Sequence, residues 1–154
     1  MNRLAVIVAT FGYVGLCPIA PGTAGSAAGL LVYALVSRVG LGVPEAAAIL
    51  LLSAAGVLSG RAAERHFGCV DPGPVVIDEV VGMLVTLFLV PVGWTGVLVG
   101  FVLFRVFDVA KPYPAGRLER LPGGLGMVAD DVMAGVYANL ALRLLWRFLP
   151  GWVL

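Results

Sequence analysis

Charge is scarce in this chain. Only 12% of its 154 residues are charged, whereas 60% are hydrophobic and the mean hydropathy is +1.03. An ordinary soluble domain carries roughly 25% charged residues, so too few polar side chains are present to cover a water-facing surface. The same composition excludes intrinsic disorder, which needs low hydrophobicity and high charge. Ten basic residues against nine acidic ones leave a net charge of +1, with no electrostatic footprint for nucleic acid. Cysteine and histidine are almost absent. Cys17 and Cys69 stand far apart in no metal-ligand spacing, which argues against a disulfide or a zinc site. With His66 as the only histidine, mechanisms that need two have no residues to use. It lies beside Glu64 and Arg65 and reads as an interfacial residue. Neither cysteine has an arginine six positions on, no Asp-x-Asp pair occurs, and no glycine loop ends in Gly-Lys-Ser/Thr. These gaps remove the cysteine-phosphatase loop, the usual phospho-aspartate signature and the Walker A motif.

What remains points to one all-α domain over residues 1–154, membrane-embedded or resting on a membrane. Alternation of period two is poor throughout, and long Ala/Leu/Val/Gly runs favour helix. Proline and glycine punctuation predicts helices over residues 25–38, 44–66, 74–90, 94–110 and 130–149, with a break at Gly123–Gly126. These stretches are apolar on nearly every face, as expected for deep burial or lipid contact. Glycine, 21 residues in all, is about twice as frequent as usual and suits close helix–helix approach. The run 4–16 after Arg3 has the outline of a signal peptide, but no small-x-small cleavage site follows it, so it is assigned to the mature domain. At the other end, Trp146, Arg147, Phe148 and Trp152 suit headgroup depth.

The few charges are clustered. Residues 4–37 and 80–104 hold none, so charges gather around 61–79, 105–120 and 130–131. A straight helix through 80–104 would part Glu79 from Arg105 by roughly 36 Å at 1.5 Å per residue. Pro91 and Gly93 offer a hairpin instead, which returns Arg105 to the side of Glu79.

Three constellations carry possible chemistry. The first is a repeated spacing: Asp78, Gly82 and Thr86 recur as Asp131, Gly135 and Asn139, each at i, i+4, i+8. Glu79 adjoins Asp78, and Asp130 adjoins Asp131. Two helices that each carry an acid and then a glycine one turn on can pack closely and aim their acids at one point. Oxygen ligands of this kind suit a hard cation such as Mg²⁺. The competing reading is ordinary helix capping by Asp78 or Asp130. The second constellation is Arg105, Asp108 and Lys111 at three-residue spacing, suited to phosphate oxygens or else to a local ion-pair ladder. In the first case Asp108 orients Arg105, joins the metal shell or acts on water. The third is the turn Gly22-Thr23-Ala24-Gly25-Ser26, whose glycines and amides can form an anion site, although Thr23 also suits a plain N-cap. Arg117, Glu119 and Arg120 read as surface residues near lipid headgroups.

Taken in order, Pro18–Ser26, Asp71-Pro72, Val76–Gly82, Phe104–Pro114 and Gly123–Gly135 resemble the bacterial phosphatidylglycerophosphatase A family, over roughly residues 10–145. The resemblance implies a compact multihelical bundle and an Mg²⁺-dependent lipid phosphatase that converts phosphatidylglycerophosphate to phosphatidylglycerol and phosphate. It places the protein in the bacterial inner membrane with its site toward the cytosol. On that reading Asp78, Glu79, Asp130 and Asp131 hold Mg²⁺, while Arg105 and Lys111 neutralise phosphate. Gly22, Thr23, Gly25 and Ser26 seat its oxygens, and Asp108 serves as a ligand or base. Two alternatives stand beside it: a phosphatase of another phosphomonoester lipid, and a non-catalytic membrane protein that uses the buried acids as an ion pathway.

Overall fold

The structure, a computed structural model, describes residues 3–148. It contains seven α-helices and, among the described residues, no strand: α1 Arg3–Ala9, α2 Pro21–Val36, α3 Val43–Phe67, α4 Ile77–Leu87, α5 Trp94–Ala110, α6 Ala115–Leu118 and α7 Gly124–Phe148. The expected all-α bundle is what forms. Leu149 and the segment around Trp152 lie outside the described residues; Trp146 packs against the core, and Arg147 and Phe148 are exposed.

The bundle is built around α4. Beyond its first turn this 11-residue helix has Thr86 as its one polar side chain, bonded back to the Gly82 carbonyl, so it goes to the middle, flanked by α2, α3, α5 and α7. Met83 and Leu87 from α4, Val97 and Phe104 from α5, and Ala134, Ala138 and Leu142 from α7 form the main core. The acids of the first turn of α4 are therefore carried inside by the helix that bears them.

Glycine sets the distance between α4 and α7. A Cβ on Gly135 would sit 2.5 Å from the Gly82 carbonyl oxygen, and one on Gly82 would sit 2.9 Å from the Asp131 carbonyl oxygen. The paired spacing in the sequence thus becomes a backbone-to-backbone contact. Gly124 similarly meets the Gly60 backbone on α3, and so the predicted break narrows to the turn that ends at Gly123 (φ 63°), with Gly124–Gly126 outside it. Here α7 starts six residues before the predicted position 130, because helix-on-helix packing outweighs the weak helix propensity of glycine. Asp130 and Asp131 consequently sit in the second turn and cap nothing. Likewise α2 starts at Pro21, so the predicted anion turn is the first turn of the helix itself.

The 88–93 turn makes the predicted hairpin between α4 and α5. Asn139 Nδ2 donates toward the carbonyl oxygens of Val85, Thr86 and Phe88 at 3.1, 2.9 and 3.0 Å. Arg143 adds bonds to Phe88 and Leu89 at 3.0 and 3.1 Å, so the end of α4 is capped from α7. Opposite them, Glu45 on α3 accepts the amides of Gly42 and Leu89. The chain is thereby polarised. Every acid except Glu45, and every basic residue except Arg38, Arg143 and Arg147, lies toward the end where α4 begins.

Two 25-residue helices, α3 and α7, are long and apolar enough to cross a membrane. On α3, Leu50, Leu51 and Leu58 are exposed by 70%, 71% and 81%, which in water would be costly and in lipid is neutral. At 1.5 Å per residue α3 measures about 38 Å, more than a ~30 Å hydrocarbon core. The chain is built for association with a membrane.

The α4–α7 contact is testable. Gly135→Ala is expected to lower stability by about 1–3 kcal/mol through overpacking against the Gly82 carbonyl. Gly73→Ala, where a Cβ meets nothing within 4 Å, is expected to be neutral. Thermal unfolding in detergent, followed by circular dichroism, compares the two.

Candidate metal and phosphate site

At the charged end, Asp78 and Glu79 from α4 meet Asp131 from α7. One oxygen from each lies within 4.8 Å of the others. Asp78 is 5% exposed and Asp131 4% exposed. Asp78 and Glu79 thus share the cluster, as expected, although adjacent helical residues diverge by about 100°. Asp78 achieves it by folding back onto the first turn, where its Oδ1 accepts the Glu79 amide at 3.2 Å. That bond satisfies one of the amides a helix start leaves open, so a helix-end role and a cluster role coincide in one residue.

Divergence does separate the other pair. Asp131 joins the cluster, while Asp130 turns away to Lys111, whose Nζ lies 2.6 Å from its Oδ2. The four-acid cluster read from sequence is therefore a three-acid cluster with Asp130 beside it. Lys111 also pairs with Glu119 at 2.9 Å, so Glu119 belongs to the site rather than to the headgroup surface. Burial draws the Lys111 pKa down, but its bonds to Asp130 and Glu119 outweigh this and hold it above the ordinary lysine value. Lys111 thus ties α5, α6 and α7 together and is not a free phosphate ligand. Arg117, by contrast, stacks over the Tyr113 ring at 4.9 Å.

Arg105 comes back beside Glu79, as the hairpin requires. Asp108 holds it at 2.7 Å, one turn away on α5, and its Nη1 reaches Ser26 Oγ at a long 3.4 Å. Gly22 keeps the space between acid and base open: a Cβ there would strike Glu79 Oε1 and lie 3.1 Å from both terminal nitrogens of Arg105. The rest of the 22–26 turn contributes less than the sequence suggested. Gly25 packs against Val76, Ser26 bonds back to the Gly22 carbonyl at 2.8 Å, and Thr23 is exposed. The amides of Thr23 and Ala24 are both taken by the Ala20 carbonyl, which removes them as anion donors.

Sequence reasoning assigned no role to Asp71. It adopts a left-handed conformation (φ 47°) ahead of Pro72, close enough for its charge to act on Lys111, Asp78 and Asp130. An Asp before proline was the available signal, but the role comes from a loop folding over the site.

The donor set suits a hard divalent cation. Oxygens bound to one such ion at about 2.1–2.4 Å stand no more than roughly 4.8 Å apart. Glu79 Oε2 is buried and has no hydrogen-bond partner among the described residues. Three carboxylates this close repel one another unless a cation or protons intervene. Removing one of them should therefore cost binding. Asp131→Asn is expected to weaken Mn²⁺ or Mg²⁺ affinity by about tenfold or more. Arg117→Gln, outside the cluster, should leave it unchanged. Isothermal titration of the metal-stripped protein measures both.

The comparisons with known proteins point to one family. The family model for phosphatidylglycerophosphatase A matches residues 7–146. The chain is 36% identical to the phosphatidylglycerophosphatase A of Escherichia coli over 79% of its length and 72% of the relative's. To the protein of that name in Haemophilus influenzae it is also 36% identical, over 92% of the chain and 88% of the relative. A Bacteroides thetaiotaomicron protein named "Putative phosphatidylinositol-3-phosphatase" is 37% identical over 90% and 91%. No solved structure matches the chain at a significant level. With cations and buried acids facing each other across one gap, and matches that run through every block of this site, the chain belongs to the phosphatidylglycerophosphatase A family and is a phosphoric monoester hydrolase.

Proposed function

We propose that this protein hydrolyses the terminal phosphate of phosphatidylglycerophosphate, releasing phosphatidylglycerol and inorganic phosphate, with Mg²⁺ held by Asp78, Glu79 and Asp131. The observation that carries the reading is the gap at Gly22, bounded by a buried carboxylate cluster on one side and the Arg105 guanidinium on the other. A divalent ion there supplies Lewis-acid polarisation of a phosphoryl oxygen.

The chain's own groups do the rest. Arg105 presents both terminal nitrogens to the gap and neutralises phosphate charge as it builds. Asp108 orients Arg105 through its 2.7 Å ion pair. Lys111 acts at one remove, since it holds Asp130 and Glu119 and so fixes the turn of α7 that carries Asp131. Thr23 sits exposed at the rim, where the lipid headgroup arrives. Water takes the phosphoryl group and the lipid alcohol leaves.

The site lies at the end of the bundle that gathers most of the basic residues. By the positive-inside rule this end faces the cytosol, with the protein in the bacterial inner membrane. A second reading keeps the chemistry and changes the lipid, and the name of the Bacteroides relative supports it. A panel of phospholipid monoesters, assayed with purified protein, separates the two.

Asp78→Asn is expected to abolish EDTA-sensitive phosphate release while circular dichroism still reports a folded helix bundle. Full hydrolysis by that variant would remove the metal site from the mechanism. Trapping of a phospho-aspartate would replace water with a carboxylate nucleophile.

A further inference from the structure

A cavity lies away from these acids, between α1 and α3. Its volume is about 650 Å³, and none of its lining residues belongs to the site described above. Arg3, Val6 and Ile7 on α1 face Ala62, Arg65 and His66 on α3, and Tyr13, beyond the end of α1, completes the lining. Both triplets have i, i+3, i+4 spacing, so each is one helical stripe and the two stripes oppose each other. The floor is apolar, from Val6, Ile7 and the small Ala62, and the rim carries two guanidiniums and an imidazole. No carboxylate of the described residues lines it. Among the described residues, neither Arg3 nor Arg65 makes an ion pair.

We infer that this cavity is a second phospholipid site, which takes the phosphodiester headgroup of an anionic glycerophospholipid. Guanidiniums suit phosphate oxygens, and the volume accommodates a headgroup with the first part of an acyl chain. The continuation of the α3 stripe identifies the occupant as a lipid rather than a soluble anion. Leu51, Leu58, Ala62 and Arg65 share one face, and Leu51 and Leu58 are 71% and 81% exposed. An acyl chain leaving the cavity along α3 therefore runs over exposed leucines toward the hydrocarbon, while Arg65 stays at headgroup level. The site also touches the catalytic end through the backbone. α1 ends at Ala9, whose carbonyl accepts the Val76 amide at 3.0 Å, two residues before Asp78.

Native mass spectrometry of the full chain in detergent tests the inference, with phosphatidylglycerol, phosphatidylcholine and inorganic phosphate as probes. The wild-type protein is expected to retain phosphatidylglycerol in preference to phosphatidylcholine, and phosphate should not displace it. R3A/R65A should bind the anionic lipid about tenfold more weakly or worse. Ala62→Trp, which fills the floor and keeps both charges, should lose the same lipid and serves if the double variant does not fold. Asp78→Asn should leave this binding intact, which separates the result from any failure of the proposed hydrolysis. Unchanged phosphatidylglycerol retention in folded R3A/R65A or in A62W would overturn the inference. Displacement by phosphate would overturn it equally, by making the cavity a soluble-anion site.

Discussion

Backbone contact between α4 and α7 governs the site. Gly82 and Gly135 let two helices approach until one carbonyl lies where a Cβ would be. Only at that separation do Asp78 and Glu79 share oxygens with Asp131 within the span of one ion. The energetic problem is like charge in an apolar interior, where unpaired carboxylates are costly. The bundle places a cationic arm next to it: Arg105 across the Gly22 gap and Lys111 on Asp130. The same device that makes the fold compact therefore concentrates like charge that a cation or protons must balance.

The two ends of α4 have different tasks. Its start carries the acids and is open to α2 and α5 across a glycine-sized space. Its end is closed by Asn139, Arg143 and Glu45, which take carbonyls and amides of the 88–93 turn. That closure fixes the hairpin, and the hairpin decides where Arg105 arrives. Residues such as Asn139 thus influence the site from the opposite end of the molecule, through backbone geometry alone.

Lys111 shows how a reasonable sequence reading is altered by assembly. At three-residue spacing from Asp108 and Arg105, it looked like a second phosphate ligand. In the folded chain it bridges Glu119, at the end of α6, and Asp130 on α7. Its charge is engaged internally, and the one guanidinium left facing the gap is that of Arg105. The first turn of α2 changes for a similar reason: the amides of Thr23 and Ala24 bond the Ala20 carbonyl.

Much was legible in the chain itself. Poor period-two alternation set the all-α class, and composition set the membrane association, because so few charges cannot clothe a soluble surface. The i, i+4 repeat of acid and glycine anticipated the α4–α7 contact, since helical periodicity turns spacing into a shared face. Pro91 and Gly93 anticipated the hairpin. Tertiary structure alone decided which of two adjacent acids joins the cluster, because rotation about a helix axis has meaning only relative to a neighbour. It also decided that Asp71 and Glu119 belong near the site, through loop paths that no local pattern encodes. Finally, it set Arg3 and Val6 against Arg65 and His66, two stripes some sixty residues apart, which meet only because α1 packs along α3.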